Sequence, residues 1–348
     1  MQEVRFEDVV TMDHLLSSAN KCCRSVRWKA SVQMFEIDRL RWAAELYDGL
    51  LSGAYRSKGF YEFWLTERGK RRYIQSVHVS ERCVQKCLNE YGVKPYVIPK
   101  LIYDNSASLP GKGTEWALKR LRQHLATHYR KHGKKGGILL CDFKNYFGSI
   151  PHDRLLPMMR GAIKDDRIYA WTKYFIDQFG DTGLGLGSEL SQIAAIFYPN
   201  PLDHFIKEHL HIRGYGRYMD DFYLIHENID HLRYCLSAIE EITGAMGLEL
   251  NPKTQIIRFD GGTFTFLKRR FSISDTGKIV TRLTRENITK RRRILKRQKE
   301  KGIDPTQSYM SWRGYAKKWD SGKTVREMDK LYKELFGGEP WKKTSQKN

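Results

Sequence analysis

An α+β fold is predicted for this chain by three observations: short apolar runs of strand length lie among helix-period segments, no strict βαβ period orders them, and no internal repeat is present. Such a mixture suits a sheet carrying helices on one face. The 348 residues allow either two domains or one domain with large subdomains.

The elements follow from local pattern. Residues 1 to about 65 place apolar and charged positions at helical spacing, as in Ile37, Leu40, Ala43, Leu46 and Leu50-Leu51 closed by Gly53, and predict an N-terminal helical layer. Glu67-Arg68-Gly69-Lys70-Arg71-Arg72-Tyr73-Ile74 is a short, basic, hairpin-like stretch. Pro95 and Pro99 follow, and Pro110-Gly111-Lys112-Gly113 opens a helix from Thr114 to about His132. Ile138-Leu139-Leu140-Cys141 is a continuous apolar run suited to a buried strand, and it ends in Asp142. A helix is expected to start near Asp153. The Gly-rich loop Gly183–Gly187 leads into another, running to about His209. Tyr215 to His226 reads as a hairpin, Asp230 to Met246 as an amphipathic helix stopped by Gly247, and Thr254–Phe259 and Thr263–Phe271 as strands. From Thr281 to Lys301 Arg and Lys dominate, which places a boundary near residue 280. Tyr309, Trp312, Tyr315 and Trp319 make the remainder a folded, basic, helical subdomain rather than a tail.

Charge narrows the function classes. The net charge is +21, from 61 Lys and Arg against 40 Asp and Glu, so a polyanion is the expected partner and nucleic acid leads. A membrane partner is not expected: no apolar run approaches the ~18 residues of a spanning helix, and Met1 to Arg5 has no signal pattern. These readings predict a cytoplasmic location. The six cysteines form no CxxC pair and join no His cluster at zinc spacing, which fits reduced thiols; Cys83 and Cys87 would share one buried helix face.

Chemistry concentrates at Arg217-Tyr218-Met219-Asp220-Asp221-Phe222, two adjacent acids among residues that otherwise favour a sheet. A lone Asp-Asp pair is more often a solvated turn. A second acid in the same kind of position displaces that reading: Asp142 ends an apolar strand and precedes Phe143. Three carboxylates at adjacent strand ends can hold two Mg²⁺ ions about 4 Å apart, the geometry of nucleotidyl transfer.

These residues also carry a family resemblance. Asp142-Phe143-Lys144-Asn145-Tyr146-Phe147-Gly148-Ser149-Ile150 resembles the first catalytic motif of reverse transcriptases, and Tyr218-Met219-Asp220-Asp221 resembles their YxDD box. Gly187-Ser188-Glu189-Leu190-Ser191-Gln192 is similar to the loop-to-helix motif that contacts template and incoming nucleotide. Gly247-Leu248-Glu249-Leu250-Asn251-Pro252-Lys253-Thr254 is similar to the fourth palm motif, and Phe264-Thr265-Phe266-Leu267 to the primer grip. The resemblance covers about residues 66 to 272, with the five motifs in the family's order.

It implies a right-hand polymerase: fingers from 1 to 136, a palm from 137 to 280 whose antiparallel sheet carries the YxDD hairpin, and a basic helical thumb from 281 to 348. It also implies Mg²⁺, two ions with Mn²⁺ as a substitute, at Asp142, Phe143, Asp220 and Asp221. Lys253 becomes the general acid for pyrophosphate, beside the catalytic Asp142, Asp220 and Asp221. Phe147 becomes a steric gate against the 2′-hydroxyl, and Lys70 and Arg72 clamp the triphosphate with Ser191 and Gln192 nearby. Phe266, Leu267, Arg291, Arg292, Arg293 and Arg297 would contact nucleic acid. Expected partners are dNTPs, an RNA template and the RNA/DNA duplex, a dedicated noncoding RNA and an accessory protein.

Within the family, the Ser191-Gln192 ending, Tyr103-Asp104-Asn105-Ser106-Ala107 and Pro199-Asn200-Pro201-Leu202-Asp203-His204 resemble diversity-generating retroelement enzymes. Gly185 and Ser188-Glu189-Leu190 depart from that pattern. The "unknown group" bacterial reverse transcriptases, many linked to antiphage defence, accommodate the departures. They also resemble Trp28-Lys29-Ala30-Ser31-Val32 and Ser311-Trp312-Arg313-Gly314-Tyr315. Templated, untemplated and protein-primed synthesis stay open at this level, because all use the same palm. A nucleic-acid-binding scaffold with a degenerate site is disfavoured by the intact acids.

Overall fold

The structure, a computed structural model, describes residues 4–24, 26–67 and 70–341, with the side chains of residues 67, 70 and 72 outside the description. It is an α+β fold with three sheets among the described residues. Four helices come first: α1 (Phe6–Val9), α2 (Met12–Cys23), α3 (Ala30–Ile37) and α4 (Arg39–Ser52). The Thr11 hydroxyl caps α2 by accepting the His14 amide at 3.2 Å, and α4 stops at Gly53, whose φ of 74° suits a residue without Cβ.

The helical layer ends sooner than the expected residue 65. Strands β1 (Phe60–Glu67) and β2 (Lys70–Val77) pair antiparallel from Phe60↔Val77 to Glu67↔Lys70. The aromatic run Phe60-Tyr61-Glu62-Phe63-Trp64 already prefers extended backbone there. Pro95 and Pro99 lie inside a helical run. It consists of α5 (Val79–Cys87), a π-helical turn (Leu88–Val93) and α6 (Lys94–Val97), closed by a short 3₁₀ turn (Ile98–Lys100). A proline is tolerated where a wider turn has already displaced the i→i−4 ladder. Cys83 and Cys87 are both buried on α5, and all six cysteines are free thiols.

The central elements follow the sequence reading closely. Helix α7 (Thr114–His132) is followed by β3 (Gly137–Asp142), α8 (Tyr146–Ser149), α9 (His152–Ala162), α10 (Asp166–Asp177), α11 (Glu189–Phe197) and α12 (Asn200–His204), with a π-turn Phe205–His209. The single helix expected up to His209 is thus cut at Tyr198-Pro199, and α10 was not foreseen. Strands β4 (Gly214–Tyr218) and β5 (Asp221–His226) form the predicted hairpin, and α13 (Ile229–Ala245) leads to β6 (Gln255–Arg258). The four-stranded sheet has the order β4-β5-β3-β6, with Leu139 opposite Ile256 on the antiparallel pair β3–β6. Gly137 is required by that pairing, because a Cβ there would lie 2.4 Å from the Ile257 carbonyl oxygen.

Strands β7 (Phe264–Phe266), β8 (Arg269–Ile273) and β9 (Ile279–Leu283) make a three-stranded antiparallel sheet, and β9 runs past residue 280. Helices α14 (Arg285–Glu300), α15 (Thr306–Lys317) and α16 (Gly322–Phe336) complete the chain. Leu295, Tyr309, Met328 and Tyr332 form their buried centre, with Trp312 packed against it. The C-terminal basic segment is therefore folded around the aromatics that predicted it.

The chain divides into two compact units. One comprises residues 1–117, 141–222 and 234–254, and the other residues 118–140, 223–233 and 255–348. No helix among the described residues is long and apolar enough to cross a membrane.

Candidate active site

Asp142, Asp220 and Asp221 all belong to the first unit and are all half-buried. Asp142 ends β3, and Asp221 opens β5. Met219 and Asp220 form the link between β4 and β5, and Met219 takes a left-handed φ of 58°, an uncommon conformation for a side chain of that size. That link is short because Tyr218 and Asp221 end and begin adjacent strands, so both acids stay at one rim of the sheet.

Their proximity is visible in electrostatics. The Asp221 carboxyl is pushed up to about 7, first by burial and then by the negative charges of Asp220 and Asp142. Among the described residues no three His, Cys, Asp or Glu side chains already close on a metal-sized point. Burial and the mutual repulsion of the three carboxylates both disfavour the charged form of Asp221. The donor chemistry nonetheless fits a hard divalent cation, which takes carboxylate oxygens and offsets this repulsion.

The raised Asp221 value has a direct consequence for stability. The folded state holds this proton up to about pH 7 while the unfolded chain loses it near the usual 3.8, so folding is favoured at low pH and that advantage is lost as pH rises through this window. In metal-free buffer the melting temperature is expected to fall between pH 4 and pH 7. Asp221→Asn should flatten this dependence, and an undiminished slope in that variant would show that Asp221 is not its source.

The loop after α13, residues 247–254, holds Asp142 in place. Asn251 accounts for this: its backbone N–H donates to the Asp142 carbonyl at 2.7 Å and its side-chain amide to the Asp142 carboxylate at 3.1 Å. The Asn251 side-chain oxygen accepts the Lys253 amide at 3.1 Å, so Lys253, exposed, rides on the same clamp. Phe143 is buried, stacked on Tyr146 at 5.1 Å and tilted against Phe222 at 5.3 Å. Phe147 is half-buried, and its carbonyl accepts the Leu184 amide at 2.6 Å, which lays the Gly-rich loop across it.

Ser188 caps α11 by accepting the Ser191 amide at 3.2 Å, so Ser191 is buried, while the Gln192 side-chain oxygen accepts the Ser108 hydroxyl at 3.2 Å. Lys70 and Arg72 sit on β2, but their side chains lie outside the described residues. In the second unit, Phe266 is buried against Tyr223 at 5.2 Å, and the adjacent turn has Leu267 and Lys268 at φ 45° and 61°. Arg292, Arg293 and Arg297 are exposed on α14. Arg291 differs: it is buried, and its guanidinium lies 5.5 Å from the Tyr309 ring centre and donates to the Ser308 hydroxyl at 3.2 Å. Its position on the helix, four residues before the buried Leu295, turns it inward.

Sequence reasoning missed the support beneath the acids. Arg217 and Asp203 are fully buried and joined by a two-pronged ion pair, Nε to one carboxylate oxygen at 2.8 Å and the terminal nitrogen to the other at 2.6 Å. The signal was present as two opposite charges, each set in an apolar segment, but nothing in the sequence paired them.

Residues 61–299 match the family described as "Reverse transcriptase (RNA-dependent DNA polymerase)". The chain belongs to the reverse transcriptase family. Every acid of the rim and all five motifs fall inside the matched span. Solved structures similar to this reverse transcriptase include apo telomerase from Candida tropicalis truncated from the C-terminal domain. It has 15% identity over 63% of this chain and 54% of that one, with a TM-score of 0.49. Another is telomerase from Candida albicans in complex with the TWJ fragment of telomeric RNA, with 12% identity over 69% and 49% of the two chains and a TM-score of 0.48. The reverse transcriptase thus spans about half the length of these structures. No curated protein matches its sequence.

Proposed function

We propose that the chain is an RNA-directed DNA polymerase of a bacterial retroelement or antiphage defence system, copying a dedicated noncoding RNA in the cytoplasm. The observation that carries the chemistry is the meeting of Asp142, Asp220 and Asp221 at one rim, within the span that matches the family. The defence assignment rests on the Trp28–Val32 and Ser311–Tyr315 segments and on the departures at Gly185 and Ser188–Leu190. In this reading residues 1–136 act as fingers, 137–280 as palm and 281–348 as thumb, and an accessory protein joins the RNA.

Asp142, Asp220, Asp221 and the Phe143 carbonyl would hold two Mg²⁺ ions, or Mn²⁺ in their place. Bound there, the cations would activate the primer hydroxyl and neutralise the departing pyrophosphate. The protein's own groups do the rest. Lys253, on the Asn251 clamp, gives the leaving pyrophosphate a proton. Phe147 bars a 2′-hydroxyl, Lys70 and Arg72 grip the triphosphate, and Ser191 and Gln192 fix the loop beside the nucleotide. Phe266 supports the Leu267 turn against the primer.

Sequencing the nucleic acid that copurifies with the active enzyme tests this reading, because it identifies template and product together. DNA complementary to a single bound RNA species is the expected result. A product with no complement in any bound RNA would replace templated copying with terminal transfer. A mutagenised copy of a variable repeat would instead favour a diversity-generating role.

The thumb has its own test. Affinity for a template–primer duplex should fall with rising salt, and the slope of log K against log salt should shrink by about one for each phosphate contact removed. Arg292→Gln with Arg293→Gln, and Arg297→Gln, should each reduce it, whereas the inward-facing Arg291 should act through stability alone. An unaltered slope in all of the exposed-arginine variants would remove α14 from the nucleic-acid interface.

A further inference from the structure

Helix α11 ends at Phe197, two residues before Pro199. A proline has no N–H, so the carbonyl four residues earlier, Ala195, is left without its helical donor, and the last carbonyls of any helix lack one. Two successive carbonyls here are taken from outside the helix. The Tyr146 hydroxyl donates to the Ala195 oxygen, and the Arg217 guanidinium donates to the Ile196 oxygen at 2.7 Å.

These two donors belong to the two segments that carry the acids. Tyr146 lies four residues after Asp142, and its ring stacks on Phe143. Arg217 lies three residues before Asp220 and also donates to the Met219 carbonyl at 3.0 Å, inside the left-handed link. Asp203 on α12 fixes the guanidinium through its two-pronged ion pair, and the Tyr215 hydroxyl donates to the same carboxylate at 2.5 Å. Arg217 thereby commits four of its five N–H donors in one plane.

We propose that Arg217 and Tyr146 are positioning residues: by tying both acid-bearing segments to adjacent carbonyls at the end of α11, they set the separation of Asp142 from Asp220 and Asp221, and with it the site's affinity for divalent cations. The inference rests on reading those three carboxylates as cation ligands. Groups that orient ligands without touching the ion typically carry about 10–100-fold of its affinity. Lysine at position 217 keeps the charge that faces Asp203 but loses the planar fork, so it cannot serve Asp203, Ile196 and Met219 together.

Mn²⁺ binding to the full chain, followed by electron paramagnetic resonance without nucleic acid, tests this in wild type, Asp220→Asn, Arg217→Lys and Tyr146→Phe. Arg217→Lys is expected to raise the Mn²⁺ dissociation constant about 10–100-fold, and Tyr146→Phe to raise it by a smaller factor, with circular dichroism unchanged. In incorporation assays, both variants should need more cation and regain activity at high Mn²⁺. Folded variants that bind Mn²⁺ as wild type does would overturn the proposal. If Arg217→Lys does not fold, Tyr146→Phe decides by the same measurement, weaker binding supporting the proposal and unchanged binding sinking it. Undiminished Mn²⁺ binding in Asp220→Asn would instead remove the carboxylates as ligands, and the proposal with them.

Discussion

Asp220→Asn and Asp142→Asn are each expected to abolish nucleotide incorporation while the chain stays folded. The loss should exceed the ~10²–10⁴-fold that removal of a general acid or base typically causes, because in the proposed two-cation site each change removes a cation ligand together with negative charge. Lys253→Ala, which on the same proposal takes away only a proton donor, should be the milder lesion. Stability is not expected to suffer from Asp220→Asn. The charge of Asp220 helps to raise Asp221, so neutralising it relieves repulsion in the metal-free protein. Single-nucleotide incorporation in Mg²⁺ beside a thermal melt separates the two effects. Near-normal incorporation by Asp220→Asn would remove it from the catalytic set.

Breaking the buried pair beneath the acids should have the largest effect on stability. Burial works against the Arg217 charge, but the charge and hydrogen bonds of Asp203 outweigh it and hold the guanidinium's pKa above its usual value. Asp203→Ala strands that cation with its side chain fully enclosed and removes the acceptor of the Tyr215 hydroxyl. Loss of one partner of a buried ion pair typically costs about 3–5 kcal/mol. A denaturant midpoint shift of that size is expected. Asp203→Leu combined with Arg217→Met should recover much of it, because no uncompensated charge is then buried. A loss below about 1 kcal/mol in the single variant would mean that water or another group satisfies Arg217.

The sequence by itself determined the α+β class, the hairpin bearing Asp220 and Asp221, the strand ending in Asp142, and the folded basic C-terminal segment. Each is written locally: an apolar run of strand length, an acid where a sheet former is expected, aromatics among arginines. The tertiary structure decided what local pattern cannot encode. Pro95 sits in a helical run because the π-turn before it had already shifted the hydrogen bonds. Arg291 left the surface because α15 and α16 supply the aromatic ring it lies over and the Leu295 core beside it. The Arg217–Asp203 pair and the Asn251 clamp join residues 14 and 109 positions apart in the chain. Such partners are chosen by burial, since a charge or amide removed from water must find its complement wherever the fold brings one.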